Sequence, residues 1–340
     1  MDSYSRDGAG LDGGALIQRL RPYRTPDTFR SLVELAITLG PLVLLWVLAW
    51  ASLQHGWWWG VLFTLPAAGF LVRLFLIQHD CGHGAFFCQK GLNDWVGRAL
   101  GVLTLTPYDH WRSTHAVHHA TSADLDRRGV GDVHTLTVAE YQAKSWRGRL
   151  GYRLFRHPVV MFGLGPAYVF LVRHRLPLGE MRGGWRPWVS AMATNVVVAA
   201  VVLALVLIGG VGPFLMVQLP ITLLAGAIGV WLFYIQHQFD GVVWLRSSTW
   251  SLGKAALAGS SHYEFRGVLG WFTANIGVHH VHHLSSRIPF YRLRQVLKDH
   301  PELAAGRLTL AQSFDGLRLT LWDEPGQKLI SFRDLARARA

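Results

Sequence analysis

A long apolar run in this chain leads directly into a pair of histidines. Residues 57–83 read WWWGVLFTLPAAGFLVRLFLIQHDCGH, and Arg73 is the only charged residue before the final HDCGH. About 20 helical residues cross the hydrocarbon core of a bilayer, so this run predicts a membrane-spanning helix. His79 and His83 follow at its end, and their imidazoles are therefore expected at a membrane face.

Three further stretches have similar length and apolar character. The four predicted spans cover about 31–53, 57–78, 188–208 and 213–236. Short connections without Lys or Arg join the first span to the second and the third to the fourth, which predicts two hairpins. Almost all basic residues lie outside these hairpins, and the positive-inside rule assigns the segments that carry them to the cytosol.

The predicted fold class is therefore an all-α integral membrane protein, multi-pass, with both termini in the cytosol. We expect a cytosolic N-terminal arm, a single membrane domain and, within that domain, a cytosolic helical cap made of two segments. These parts cover 1–30 for the arm, 31–340 for the domain, and 79–187 with 237–340 for the cap. Two shorter apolar stretches, 96–105 and 159–172, are too short to span and predict interfacial or re-entrant helices.

Composition supports a membrane protein over a soluble one. Half of the chain is hydrophobic (51%), only 16% is charged, and the formal net charge is +12. Long apolar runs and 15 tryptophans beside this charge indicate basic loops facing anionic lipid rather than nucleic acid. Cys81 and Cys88 are too few for a disulfide framework. Arg73 lies near the inner end of its span, where we expect its side chain to snorkel to the interface.

Histidines recur in three groups whose spacing suits metal binding. The groups are His79-Asp80-Cys81-Gly82-His83, His115-Ala116-Val117-His118-His119 and His279-His280-Val281-His282-His283. Residues three and four apart share one face of a helix, so each group can present two or three imidazoles to an ion. By chance, a chain of this composition would hold only about 0.04 windows of the form H-x-x-H-H. Two such windows predict a metal site, while His280 is expected to point away from it.

His237 joins these groups because it lies at the inner end of the fourth span. Together with the three groups it supplies nine imidazoles, which exceeds the needs of one ion and suits two. Imidazole binds zinc, copper, iron and nickel, and redox chemistry favours iron among them. A closed structural zinc site, a bis-histidine haem, a His-Glu-x-x-His zinc protease and a carboxylate-rich di-iron bundle each fit the pattern less well.

The histidine groups resemble those of the membrane fatty acid desaturase family in type, order and placement, over most of the chain. His-Asp-Cys-Gly-His followed by residues 84–87 (GAFF), and the third group followed by residues 284–291 (LSSRIPFY), are similar to the acyl-lipid Δ12 (omega-6) branch. Acyl-CoA members of the family carry an Asn one turn before the additional histidine. This chain has Phe233 there, so water or another group would complete that iron.

The resemblance implies a fatty acyl desaturase that introduces a cis double bond with O2 as co-substrate. Two iron ions (Fe²⁺/Fe³⁺) would be the cofactor, at an active site facing the cytosol, and an external electron donor would be required. A ferredoxin-like or other small electron-transfer protein is the expected partner, and a membrane lipid acyl chain in a narrow tunnel is the expected substrate. The implied iron ligands are His79, His83, His115, His118, His119, His237, His279, His282 and His283.

Metal-bound imidazoles usually donate their second N–H to a carboxylate or carbonyl. Six aspartates lie close in sequence to the predicted ligands: Asp80, Asp109, Asp124, Asp126, Asp132 and Asp240. We favour Asp80 and Asp240 for this supporting role. Asn275 precedes His279 by four residues, so a continuous helix would place its side chain on the ligand face, although it can equally cap the helix.

Two alternatives remain open from the sequence. A hydroxylase or carotenoid ketolase of the same superfamily would use the same oxidant with a different outcome. A non-catalytic membrane metal transporter or sensor would need polar side chains within the spans, and apart from Arg73 we find only scattered Gln, Asn, Ser and Thr there.

Overall fold

The fold is known from a computed structural model that describes residues 13–178, 184–263, 265–304 and 306–338. Most of this part of the chain is helical. The helices are α1 Gly13–Arg19, α2 Thr28–Gln54, α3 Thr64–Gly82, α4 Lys90–Leu103, α5 Tyr108–Thr121, α6 Val138–Ala143, α7 Trp146–Phe155, α8 Val160–Arg173, α9 Arg186–Gly209, α10 Val211–His237, α11 Leu252–Gly259, α12 Gly267–Phe272, α13 His279–Leu284, α14 Leu293–Asp299, α15 Leu310–Gly316 and α16 Phe332–Arg337.

Short strands join distant parts of the cap. They are β1 Leu136–Thr137, β2 His262–Tyr263, β3 Arg307–Leu308, β4 Leu321–Asp323 and β5 Lys328–Ile330. One sheet has the order β1-β4-β5, with β1 parallel and β5 antiparallel to β4, and β2 pairs with β3 in parallel. These strands hold the C-terminal segment against the middle of the chain.

Among the described residues, four helices are long and apolar enough to cross a membrane: α2, α9, α10 and the stretch Trp58–Gly82, in which a 3₁₀ turn leads into α3. Each corresponds to one of the predicted spans, with bounds that differ by a few residues. Only 6% of the most apolar window of α9 is buried inside the protein, and an apolar surface of that extent needs lipid or a partner to cover it. α3 lies at the centre, where it packs against both α2 and α10.

The prediction that Arg73 snorkels to the interface is wrong. Its side chain is buried between helices and forms an ion pair with Glu34 of α2, a carboxylate that lies within the first predicted span. Arg73 Nε also donates to Thr38 Oγ1 (3.1 Å), and the guanidinium lies 4.0 Å from the centre of the Trp271 ring. A charge leaves water only with such partners, and here the neighbouring helices supply them.

The two shorter apolar stretches are helical. Residues 96–105 fall largely in α4, and residues 159–172 fall largely in α8, which is bent by 63° relative to α7. α8 continues through Gly163, Gly165 and Pro166, with one π-helical turn before and one after the α-helical segment Gly165–Tyr168. Together, α7 and α8 have the geometry of a broken span or a re-entrant segment.

The described part of the N-terminal arm is docked on the cap. Leu16 and Leu20 are buried, and Tyr23 donates to Asp299 Oδ2 at 2.8 Å. Arg24 donates to Ser285 Oγ (2.9 Å), directly after α13. Residues 1–12 of the predicted arm lie outside the described residues. The arm therefore reaches the segment that carries the third histidine group.

Candidate metal centre

The first two histidine groups meet because α3 and α5 pack closely where α3 ends. His79 lies in the last turn of α3, His83 is its C-terminal cap residue, and α5 carries the second group. A Cβ on Gly82 would come within 2.8 Å of the Trp111 ring, so this approach depends on a glycine. Trp111 stacks on His115 with ring centres 4.7 Å apart, which fixes that imidazole.

Five of the nine predicted ligands form one group. All of its candidate ligand atoms lie within 4.8 Å of one another, and its members are His79, His83, His115, His119 and His282. Nε2 of His115 lies 3.1 Å from Nε2 of His83 and 3.2 Å from Nε2 of His119. His282, from the stretch His279–His283, thus joins imidazoles from the other two histidine-rich stretches, and its Nε2 is 3.2 Å from that of His119.

The other four predicted ligands form a second group of buried side chains. Its members, again within 4.8 Å of one another, are His118, His237, His279 and His283. Nε2 of His237 lies 3.2 Å from Nε2 of His118 and 3.0 Å from Nε2 of His279. The two groups are neighbours, because the rings of His119 and His283 stack with centres 4.1 Å apart.

These contacts fit a bound cation better than hydrogen bonds between imidazoles. Nitrogens at adjacent positions around one ion, each about 2.1 Å from it, lie roughly 3 Å apart, as these Nε2 atoms do. Nε2 of His283 is buried and has no hydrogen-bond partner within the described residues. The donor set, nitrogen throughout, suits iron, zinc or copper and does not suit magnesium or calcium.

Burial keeps the imidazoles in the neutral form that binds metal. Desolvation lowers the pKa of His83, His115, His119, His279, His282 and His283 well below the usual histidine value, and neighbouring histidines lower it further. At neutral pH these side chains therefore present lone pairs to the centre of each group.

Two contacts select the nitrogen that faces the centre. Nδ1 of His118 lies 2.5 Å from Asp132 Oδ1, and Nδ1 of His237 lies 3.2 Å from the carbonyl oxygen of Gly259. Both oxygens accept, so each Nδ1 carries the proton and each Nε2 is left to bind. Asp132 is one of the six aspartates close in sequence to the ligands, although the sequence favours Asp80 and Asp240 over it.

The structure places Asp240 away from the imidazoles, and it removes the helical argument for Asn275. Asp240 is exposed and makes no hydrogen bond to a histidine in the part of the chain that the structure describes, although its neighbour Phe239 is buried. Asn275 does not share a helical face with His279, since α13 begins at His279 and Asn275 lies before it in a left-handed conformation (φ 54°).

The remaining predicted neighbours have mixed positions. Asp80 lies beside His79, but its hydrogen bond comes from the Phe290 backbone N–H (2.7 Å), and its oxygen is 3.5 Å from His79 Nδ1. That longer separation is too great for a strong hydrogen bond. His280 points away from the centre, as expected, with Nε2 2.7 Å from the carbonyl oxygen of Leu303. Phe233 packs against the second group, with its ring centre 5.2 Å from that of His118.

A cavity of about 320 Å³ opens against both groups. His79 and His115 of the first group and His279 of the second form part of its wall. The rest of the wall is mainly apolar, with side chains such as Leu71 of α3 and Phe170 of α8. A cavity of this composition accommodates an alkyl chain and places it beside the histidines.

Comparisons with known proteins agree with this geometry. The sequence profile of the family Fatty acid desaturase matches residues 56–313, more than half of the chain. A fatty acid desaturase of Bacillus subtilis (strain 168) is 44% identical over 94% of this chain and 90% of its own length.

Two cyanobacterial relatives from Synechocystis sp. are more distant. An sn-1 acyl-lipid omega-3 desaturase (ferredoxin) is 28% identical over 79% of this chain and 74% of its own length. An sn-1 oleoyl-lipid 12-desaturase is 27% identical over 76% and 71%. With four apolar helices, two histidine groups and these matches, this chain belongs to the fatty acid desaturase family.

Proposed function

We propose that this protein is an O2-dependent acyl desaturase that forms a cis double bond in a lipid acyl chain at a centre of two iron ions. The observation that carries the proposal is the convergence of nine imidazoles in two adjoining groups, and three of these imidazoles, His79, His115 and His279, line an apolar cavity. His79, His83, His115, His119 and His282 would hold one iron, and His118, His237, His279 and His283 the other.

The residues of the site have separable tasks. Iron, when bound there, supplies the oxygen chemistry that removes hydrogen from an unactivated C–H bond. Asp132 and the Gly259 carbonyl orient His118 and His237, and Trp111 holds the ring of His115 in place. The cavity's apolar side chains position the chain and limit access of water.

The electron balance of this reaction requires a donor. Reduction of O2 to two waters takes four electrons, of which two come from the substrate carbons as two hydrogens leave, and two must come from outside. We propose a small acidic protein such as a ferredoxin as their source. The names of several relatives include ferredoxin, and the net charge of +12 on this chain would attract an acidic partner.

The proposed topology follows the charge distribution. α2 with α3, and α9 with α10, would form two hairpins with both termini and the histidines on the cytosolic side. The basic segments between and after the hairpins would contact anionic lipid or the donor. Fusion of a reporter enzyme after Gly56 and after Gly210 tests this topology. A reporter that is active only outside the cytosol should be active at both positions, and one that is active only in the cytosol should be inactive there.

Lipid-linked acyl chains are the proposed substrate, as in the names of the relatives. Those names include both omega-3 and 12-desaturases, so the resemblance to the Δ12 branch stays a prediction for product analysis. A hydroxylase or carotenoid ketolase outcome is the enzymatic alternative. The family assignment disfavours the alternative of a non-catalytic transporter or sensor. Such a protein would need polar groups in its spans to carry an ion, and the buried Glu34 and Arg73 instead pair with each other, as structural residues do.

Two measurements test the proposal. The purified chain should contain about two irons, and a host with a simple lipid profile should gain unsaturated fatty acid methyl esters when it expresses the chain with a donor system. Single variants His115→Ala and His282→Ala should fold but lose turnover, while His157→Ala, at an exposed position away from the centre, should remain active. Unchanged lipids with a loaded enzyme and a working donor would refute desaturation, and hydroxylated esters would support the alternative.

A further inference from the structure

A second cavity, which we call the basic pocket, lies on the other side of the segment that carries His279. It has a volume of about 490 Å³, and four exposed cations line it: Arg266, Arg294, Lys298 and Arg307. No carboxylate lies among the described lining residues. Arg266 and Arg307 also have other partners, so an anion would be held mainly by Arg294 and Lys298 of α14. The pocket is therefore suited to an anion.

The basic pocket adjoins an apolar surface on α12. Val268 is 69% exposed and Leu269 is 54% exposed, and both directly follow Arg266 and Gly267 in sequence. Exposed apolar side chains beside cations are the pattern of a helix that lies in the membrane interface.

The position of α12 along α3 places the basic pocket at the level of the lipid headgroups. Trp271 and Phe272 pack on Phe70 of α3, with ring centres 5.7 and 5.0 Å apart, and the carbonyl oxygen of Trp271 accepts from Arg73. From Arg73, α3 continues for nine residues, or about 14 Å, to Gly82. α12 packs on residues 70–73 of α3, within about two turns of Gln78, where the predicted span ends, and the histidines lie beyond that end. The basic pocket is lined by Arg266 just before α12 and by Val278 beside His279, so it lies between these two levels.

The wall between the two cavities is a single short segment. Asn275, Gly277 and Val278 line the basic pocket, whereas Ile276 and His279 line the acyl cavity. The Tyr263 N–H donates to the Gly277 carbonyl (2.7 Å), and a Cβ on Gly277 would collide with the Tyr263 carbonyl oxygen at 2.0 Å. An occupant of the basic pocket would therefore press on a tightly packed segment that ends in a predicted iron ligand.

We propose that the basic pocket binds the phosphate-bearing headgroup of an anionic phospholipid from the cytosolic leaflet. Arg294 and Lys298, one helical turn apart on α14, would contact the phosphate. The apolar side chains of α12 would lie among the acyl chains. The bound lipid would restrict the movement of residues 275–279 from the side opposite the acyl cavity. This inference rests on the membrane insertion proposed above and is independent of the reaction catalysed.

The test compares lipid retention by the full-length protein in mild detergent, measured by native mass spectrometry with phosphatidylglycerol and phosphatidylcholine. We expect the wild type to retain phosphatidylglycerol preferentially. The double variant Arg294→Gln/Lys298→Gln should lose about tenfold or more of that preference, since each basic residue near a membrane surface contributes substantially to anionic lipid binding. A matched control, Arg333→Gln/Arg337→Gln on α16, removes the same charge elsewhere and should keep it.

Several outcomes would overturn the proposal. They are an unchanged preference in the double variant, equal loss in the control, and displacement of phosphatidylglycerol by inorganic phosphate alone, which would indicate a site for free anions. Loss of binding to an acidic [2Fe–2S] ferredoxin with lipid preference unchanged would assign the pocket to a protein. Lys298→Gln alone serves if the double variant does not fold. Lipid retention is read without turnover, so an inactive enzyme leaves this test intact.

Discussion

Asp132 Oδ1 lies 2.5 Å from Nδ1 of His118, and the side chains are 5% and 1% exposed. The carboxylate accepts the Nδ1 proton, which turns Nε2 of the imidazole toward His237 and leaves it free of hydrogen. Gly129 donates its backbone N–H toward the other carboxylate oxygen (3.4 Å). A loop residue thus sets the tautomer of a predicted iron ligand in the second group.

Replacing Asp132 by Asn should weaken metal binding in the second group. An amide can accept from Nδ1 but carries no charge, and loss of such a partner usually costs 10–100-fold in metal affinity or activity. Iron content per folded chain, measured after dialysis against a weak chelator, is the decisive quantity, because a purely structural role for Asp132 would lower stability and leave iron content unchanged.

Asp240→Asn provides the matched control for this experiment. Asp240 follows α10 directly and its side chain is exposed, so we expect the iron content and turnover of this variant to remain at wild-type levels. If Asp240→Asn lost iron and Asp132→Asn kept it, the assignment drawn from the structure would be the wrong one.

The difference between these two aspartates illustrates what could be predicted from the sequence. Helical spacing within a group requires only local structure, so eight of the nine histidines could be predicted from i, i+3 and i+4 positions, and His237 from its place at the end of the fourth predicted span. The choice of Asp132 over Asp240 depends on how residues 122–135 fold back over α5, which no periodicity records. The same holds for Asn275, whose left-handed backbone ends any helical continuation toward His279.

The spans were predictable from apolar length, but their internal pairing was not. Glu34 and Arg73 lie in different spans, 39 residues apart, and each alone looks like a charge in an unfavourable place. Their contact arises because α2 packs on α3 at that level. The position of a residue in one helix does not reveal its partner in another helix, so the sequence alone predicts that Arg73 snorkels to the interface.

Breaking the Glu34–Arg73 pair should destabilise the protein strongly. Both side chains are 2% exposed, so Glu34→Gln or Arg73→Met leaves a buried charge without its partner, at a cost of about 3–5 kcal/mol. The double variant should recover much of this loss, because it removes both charges. Arg30→Met is the control: Arg30 also pairs with Glu34, but its side chain is 56% exposed. Thermal unfolding midpoints in detergent rank the four variants, and a double variant less stable than both single ones would contradict the pairing.

Acid should release the metal steeply. Burial lowers the pKa of His83, His115, His119, His279, His282 and His283 below the usual value of about 6.5. Above that value the folded and unfolded states are both neutral, and the stability is fully present. As the pH falls below it, the unfolded state binds protons that the folded state refuses, and stability is lost progressively. Iron retention and unfolding midpoints between pH 8 and about pH 5 should fall with uptake of more than one proton; a single-proton dependence would contradict a shared histidine centre.

Gly229 should control the length of acyl chain that the enzyme accepts. It lines the acyl cavity on α10, and a Cβ there would meet no atom within 4 Å, so a larger side chain would extend into the cavity space. Gly229 precedes His237 by eight residues, or about 12 Å along the helix, which puts the obstruction beyond the carbons under attack.

Gly229→Leu should therefore keep its iron but lose turnover of long chains by tenfold or more relative to shorter ones, since steric exclusion acts only on the part of the chain that reaches the leucine. Gly40→Leu is the control, because Gly40 lies exposed on α2 with similar free space around it and no part in the cavity wall. Product profiles of cells supplied with acyl chains of several lengths measure the ratio. An unchanged ratio in Gly229→Leu, with wild-type iron content, would mean that the acyl chain takes another route past the histidines.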